Sequence, residues 1–161
     1  MDKYINRVAL AFFALILAAP VASKAAAKTE VGAGSGDALG SISISAFTFQ
    51  NSNGVAIVTL YNDESTWQEI PKAYRKKILK IKGKSIYLKF KDLPPGVYGV
   101  YVLHDENENN KMDMKWLPYP RPGEGVGGSN NYTKGRPKWK HVKFKVEPGE
   151  NKALKIKLKY F

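Results

Sequence analysis

The chain has 161 residues, 43% of them hydrophobic and 12% aromatic, which suits one domain with a real core and is too little for two ordinary ones. It has no cysteine, which excludes disulfides, a thiol nucleophile and a lipid anchor on an N-terminal cysteine. Its formal net charge of +12 draws it toward anionic surfaces in general, without choosing among lipid headgroups, acidic polysaccharide and nucleic acid.

The N-terminus has the three parts of a secretory signal peptide. Lys3 and Arg7 supply charge, Val8 to Ala19 form an apolar run, and small residues follow in PVASKAAA. The run is about 12 residues, short of the roughly 20 that a membrane-crossing helix needs. The expectation is export to a periplasm or the medium, with a signal peptide over residues 1–27 cleaved after Ala25 or Ala27. No transmembrane segment should remain after cleavage. Residues 28–40 are small, polar and Gly-rich and read as a flexible lead-in to a folded domain over 41–161.

From Ser41 the pattern is that of strands. SISISAF alternates Ile42, Ile44 and Ala46 against three serines, the turn signal NSNG follows, and VAIVTLY reads as the second strand of a hairpin. In DESTWQEIPKAYRKK, Pro71 forbids a long helix and leaves room for a short helical turn near Ser65 to Glu69. KILKIKGKSIYLKFK reads as two strands about Gly83. The turn LPPG then leads into GVYGVYVLH, apolar on both faces like the central strand of a sandwich. A loop of about 30 residues, Asp105 to Arg136, comes next; loops that long are usually functional or disordered. KWKHVKFKV reads as a strand. The last strand alternates Leu154, Ile156, Leu158 and Tyr160 with Lys155, Lys157 and Lys159. The sum is an all-β chain, an antiparallel β-sandwich of about seven strands, immunoglobulin-like or transthyretin-like, with one long loop.

The polar segment HDENENNKMD carries most of the candidate chemistry. Asp105, Asn107, Asn109 and Asp113 place oxygens at positions 1, 3, 5 and 9 of a calcium-type loop, with the Lys111 carbonyl at position 7. Against calcium, Asn110 stands where an EF-hand has Gly, Trp116 where it has a bidentate Glu, and a strand precedes the loop. The competing reading is a loop braced by Asx turns. GEGVGG formally matches a dinucleotide fingerprint but lacks the strand and helix around it, so a mobile or tightly folded glycine loop is expected. His104, Asp105 and Ser129 can be drawn as a hydrolase triad, but no nucleophile elbow accompanies them. The lysine rows are solvated strand faces, or a surface for a polyanion. Trp116, Tyr119, Tyr132 and Trp139 suggest a recognition platform or the loop's own small core.

LPPGVYGVYVLHDENENNKMD, PGEGVGGSNN, RPKWKHVKFKV and the closing IKLKY together resemble the exported bacterial proteins of domain of unknown function 2141. The resemblance rests on Leu93, Gly96, Tyr98, His104, Asp105, Asn107, Asn109, Asp113, Pro122, Glu124, Gly125, Gly127, Ser129, Asn130, Asn131 and Tyr160. Asn110 in place of Gly and Gly128 in place of an aromatic depart from the family's pattern. The resemblance implies a β-sandwich and export, and no particular activity.

The expected function is therefore a non-enzymatic, exported binding module of unknown ligand, with loop 104–131 as its working surface. His104, Asp105, Glu124, Ser129, Asn130 and Asn131 are the expected ligand-binding residues, converging at one end of the sandwich. Asp105, Asn107, Asn109, Lys111 and Asp113 are the expected ligands of a weak calcium site. The alternatives are a cell-envelope hydrolase using His104 and Glu124, and a basic structural protein held on an anionic polymer or membrane surface; no specific nucleic acid is expected.

Overall fold

The computed structural model describes residues 38–115, 121–122, 125–132 and 136–161. The signal peptide, most of the lead-in, Trp116, Tyr119 and Glu124 lie outside the described residues. Among the described residues ten strands run in chain order: β1 (Gly40–Phe47), β2 (Val55–Tyr61), β3 (Arg75–Lys80), β4 (Ser85–Leu93), β5 (Gly96–Asp105), β6 (Met114–Lys115), β7 (Arg121–Pro122), β8 (Gly125–Gly128), β9 (Phe144–Val146) and β10 (Asn151–Lys157). One short helix, α1 (Trp139–Val142), precedes β9.

Two sheets face each other. One has the order β10-β1-β4, the other β3-β2-β5-β8, with β9 also on β5. Alternation decides what each strand buries. Ile42, Ile44 and Ala46 of β1, Ile86, Leu88 and Phe90 of β4 and Ile156 of β10 meet Ala56, Val58 and Leu60 of β2 and Val100 and Val102 of β5 in one core. Each large aliphatic side chain so buried contributes about 1.5–3 kcal/mol. Leu154 is half-buried and Leu158 buried, while Lys155, Lys157 and Lys159 are exposed, as the alternation requires. A second apolar layer covers the outer face of the larger sheet. There Ile57, Tyr61, Tyr101, Leu103 and Val126 are roofed by Trp67, Ile70, Met112 and Trp139. Gly99 makes room for this roof, since a Cβ there would lie 2.6 Å from Trp139 and 3.1 Å from Trp67.

The β-sandwich is as expected, but its wiring differs in several places. β1 and β2 are not a hairpin; they belong to opposite sheets, and Asn51 Oδ1 accepts from Asn53 N in the crossing. The sheets are not wholly antiparallel, because β10 runs parallel to β1. The turn near Ser65 is two 3-10 turns, Glu64–Thr66 and Ile70–Lys72, with Pro71 in the first turn of the second, where its missing N–H costs nothing. KWKHVKFKV is α1 followed by the short β9. Trp139 and Val142 are buried three residues apart, a helical spacing hidden by the alternating lysines.

The long loop is not structureless. β6 pairs with β7, and GVGG, expected as a glycine loop, is the edge strand β8 paired with β5. It is glycine because neighbours press on both faces. A Cβ at Gly125 would lie 2.4 Å from the Tyr160 ring, at Gly127 2.8 Å from Ile156, and at Gly128 2.8 Å from Val142.

Candidate functional site

β5 ends in His104 and Asp105, and the pleat sends the two side chains to opposite faces. His104 points between the sheets and is fully buried. Its Nε2 lies 2.9 Å from the Asn53 carbonyl, which can only accept, so Nε2 carries the proton. Nδ1 then accepts from the Tyr160 hydroxyl at 2.6 Å, and that oxygen accepts from Gln50 N at 3.1 Å. Phe49 and Tyr160 pack edge-on against the imidazole, and Glu106 Oε1 stands 3.7 Å from Nδ1. Burial pushes the Tyr160 hydroxyl above its ordinary pKa. His104 thus ties the 49–53 crossing and the C-terminal strand to the end of β5, and both its ring nitrogens are engaged.

Asp105 faces the other way and is also fully buried. Its Oδ1 accepts from Asn109 N at 3.1 Å and its Oδ2 from Asn110 N at 2.7 Å. Asn107 Oδ1 also accepts from Asn109 N, and Asn109 Oδ1 accepts from Lys111 N at 2.8 Å. The amide nitrogens of Asn107 and Asn109 donate to the two oxygens of Asp113, at 2.7 and 3.0 Å. Glu108 and Asn110 take left-handed φ of 60° and 61°, a conformation asparagine tolerates well, so Asn110 can stand where an EF-hand loop has Gly. The loop's donors and acceptors answer one another. In this arrangement amide hydrogens rather than amide oxygens point at Asp113. Among the described residues no three acidic, histidine or cysteine side chains cluster in a way that could hold a metal.

Ser129, Asn130 and Asn131 form a separate stitch. β9 pairs with Gly96 to Tyr98 of β5 and β8 with Tyr101 to His104, so Val100 falls in the gap between them. The buried Ser129 Oγ fills that gap, accepting from Val100 N at 3.1 Å and donating to Val142 O at 2.5 Å. Asn130 Nδ2 donates to His141 O at 3.2 Å, and Asn131 Oδ1 accepts from Lys157 N at 3.3 Å. Both asparagines are left-handed, at φ 61° and 51°. Tyr132 stacks on His141 with centroids 4.7 Å apart. Ser129 touches β5 four residues from His104, about 13 Å along a strand. Among the described residues, Ser129 and His104 are therefore held apart.

A model of the family described as uncharacterized proteins conserved in bacteria, DUF2141, matches residues 44–154. The chain belongs to this family. No curated protein and no solved structure matches it. In this DUF2141 chain, several of the described residues on which the sequence resemblance rests hold the fold. His104 and Tyr160 join strand ends, Gly125 and Gly127 let the sheets close, and Ser129 to Asn131 patch edges.

What the Asp105 bracing does is turn the loop back over the outer face of the larger sheet. Met112 is thereby seated on Tyr101, with Tyr101 Oη 3.9 Å from its sulfur. An open cleft of about 540 Å³ results. It is lined by Tyr101 of β5, by Gln68 to Pro71 from the turn region, by Asn109 to Met112 and Met114 of the loop, and by Arg136. Arg136 is fixed by a hydrogen bond from its Nε to Gln68 Oε1, while Gln68 Nε2 and Trp67 Nε1 donate to Pro137 O at 2.7 and 2.8 Å. Glu69 at the rim is neutralised by Lys72 at 2.7 Å. Of the described residues expected at the site, only Asn109 and Lys111 line this cleft. Sequence reasoning missed Ile70, Tyr101, Met112, Met114 and Arg136; the two methionines in an otherwise polar loop were the available signal.

Proposed function

We propose that the chain is an exported, non-enzymatic binding module that holds an amphiphilic ligand, an apolar body bearing an acidic group, between the 68–71 turn and the 109–114 loop. The cleft carries this reading. Its volume lies in the usual range for small-molecule sites, most of its lining surface is apolar, and two cations, Lys111 and Arg136, are among the residues that line it. Methionine walls adapt to ligands of varied shape. The loop remains the working surface, with Asp105 as the residue that positions it rather than one that touches ligand.

The hydrolase alternative is weakened by His104, whose ring is buried and whose two nitrogens are both engaged by neighbours. The calcium reading is weakened by the mutual satisfaction of Asp105, Asn107, Asn109 and Asp113. We infer that the loop is held by its own hydrogen bonds.

The test uses anilinonaphthalene sulfonate, an apolar ring system with an anionic group, titrated against the folded chain by fluorescence. Saturable binding is expected, weakened by Met112→Lys through the wall and by Arg136→Ala through the charge, with unchanged circular dichroism. Binding indifferent to both substitutions would refute the cleft. Turnover of a panel of esters, glycosides and phosphoesters would refute the non-enzymatic part. Mass spectrometry of the fractionated protein should find an N-terminus between Lys24 and Glu30; recovery of Met1 or Asp2 overturns export.

A further inference from the structure

The outer face of the β10-β1-β4 sheet lies on the opposite side of the sandwich core from the cleft and is unoccupied by any described element. Its outward positions are Ser43, Ser45 and Phe47 of β1, Ser85, Tyr87, Lys89 and Lys91 of β4, and Ala153, Lys155 and Lys157 of β10. Register sets them in rows. Tyr87 lies opposite Ser45, and Ser45 beside Lys155; Lys89 lies opposite Ser43, and Ser43 beside Ala153. Ser43 and Ser45 of the middle strand offer only small hydroxylated side chains here, with the half-buried Phe47 at the strand's end, so the central part of the face is flat, with an aromatic ring and ammonium groups standing at its flanks. Tyr87 is 68% exposed, the most exposed large apolar side chain of the described residues.

The charge is one-sided. None of these outward positions carries a carboxylate, and the chain has no Asp or Glu between Glu69 and Asp92. Among the described residues, Lys89, Lys91, Lys155 and Lys157 form no ion pair, whereas the acidic Glu108, Glu147 and Glu150 are each paired with another lysine. The positive surface continues round the open side of the sandwich. There Arg75 and Lys77 of β3 reach across to the backbone carbonyls of Lys91 and Lys89, with Lys77 Nζ 3.0 Å from Lys89 O.

We propose that this face binds an anionic polysaccharide, a polymer of uronic-acid sugars, laid flat across the three strands. Tyr87 stacks on a sugar ring, the serine hydroxyls meet its hydroxyl groups, and the lysines pair with its carboxylates. Three observations favour this occupant. Flatness and an exposed aromatic suit a ring-shaped, hydroxylated ligand. A lipid surface would call for several protruding Trp, Phe or Leu side chains, and of these the outward positions of the three strands hold only Phe47, which is half-buried. An acidic peptide adding as a strand at the β4 edge would find the carbonyls of Lys89, Lys91 and Asp92 already taken by Lys77 and Arg75.

The experiment titrates the full chain with polygalacturonate by isothermal calorimetry at low and high salt. Neutral dextran and phosphatidylglycerol vesicles are the comparison ligands. Polygalacturonate is expected to bind, with affinity falling as salt rises, and dextran and vesicles to bind far more weakly. Tyr87→Ala and the double change Lys89→Gln with Lys155→Gln should each weaken polygalacturonate about tenfold, a loss on the scale of one aromatic contact. All are surface positions, so the fold is expected to survive, and a melting curve checks it. The proposal is overturned if polygalacturonate does not bind, if vesicles bind as well or better, or if Tyr87→Ala leaves the affinity unchanged, since a generic charge attraction would not notice the ring.

Discussion

Ser129→Ala separates a structural role for the Ser-Asn-Asn segment from a ligand-binding one. In the folded chain the hydroxyl bridges Val100 N at 3.1 Å and Val142 O at 2.5 Å, at a position with no exposed surface. Alanine removes the bridge and keeps the backbone, stranding one buried N–H and one buried C=O. Each unsatisfied group costs about 1–3 kcal/mol, so the expected loss is about 3 kcal/mol after local relaxation. For a domain of this size the melting temperature should fall by roughly 10 °C. A urea titration should show a lower midpoint with an unchanged slope, since the surface exposed on unfolding is the same. Hydrogen exchange at the Val100 amide should accelerate more than at Val102, which lies within the stretch of β5 that β8 covers. Ser45→Ala, on the open sheet face, is the control and should stay within about 0.5 kcal/mol. If Ser129→Ala also stays within that range while abolishing ligand binding, the bridge is incidental and the serine belongs to a site.

Ile156→Ala, at a fully buried position, should cost about 2–5 kcal/mol, and its exposed neighbour Lys157→Ala within about 0.5 kcal/mol. Equal costs would mean the register of β10 is wrong. Asp105→Asn exchanges one acceptor for a donor facing a backbone N–H, so denaturant titration should show a loss of about 2 kcal/mol, together with weaker dye binding as the 109–114 wall loosens. Calcium at ten times its dissociation constant would add about 1.4 kcal/mol; the braced loop predicts no change of melting temperature in millimolar calcium, and a rise would restore the metal site. Tyr160 has its pKa raised by burial, so its contribution is intact below about pH 10 and lost as pH rises through the higher folded value. Stability should therefore fall above about pH 10, and Tyr160→Phe, though less stable at neutral pH, should show a shallower fall.

Most of the architecture is legible wherever one face of a strand is apolar and the other is not. Ile42 to Ala46, Ile86 to Phe90 and Leu154 to Leu158 announce both their strands and their buried faces by a period of two, and VYGVYVLH announces a central strand by lacking one. The reading fails where residue identity answers to a neighbour distant in sequence. Gly125, Gly127 and Gly128 read as a loop because glycine usually marks one; they are a strand because Tyr160, Ile156 and Val142 leave no room for a Cβ. Trp139 and Val142 read as strand because the lysines between them alternate.

The candidate site shows the same division. That Asp105, Asn107, Asn109 and Asp113 act as a unit was visible in their spacing, because Asx side chains reach backbone amides two to five residues away whatever the rest of the chain does. The sequence by itself also determined the basic, cysteine-free character and the family. Only the tertiary structure decided that His104 and Asp105, adjacent in sequence, serve opposite faces of a sheet. Only it placed Ser129 in a gap between two strands, and brought Ile70, Tyr101, Met112 and Arg136 to one cleft. Those four come from segments up to 66 positions apart, and nothing local requires them to meet. They meet because β5 sits mid-sheet and the chain on either side must fold back over its outer face to bury Tyr101 and Leu103.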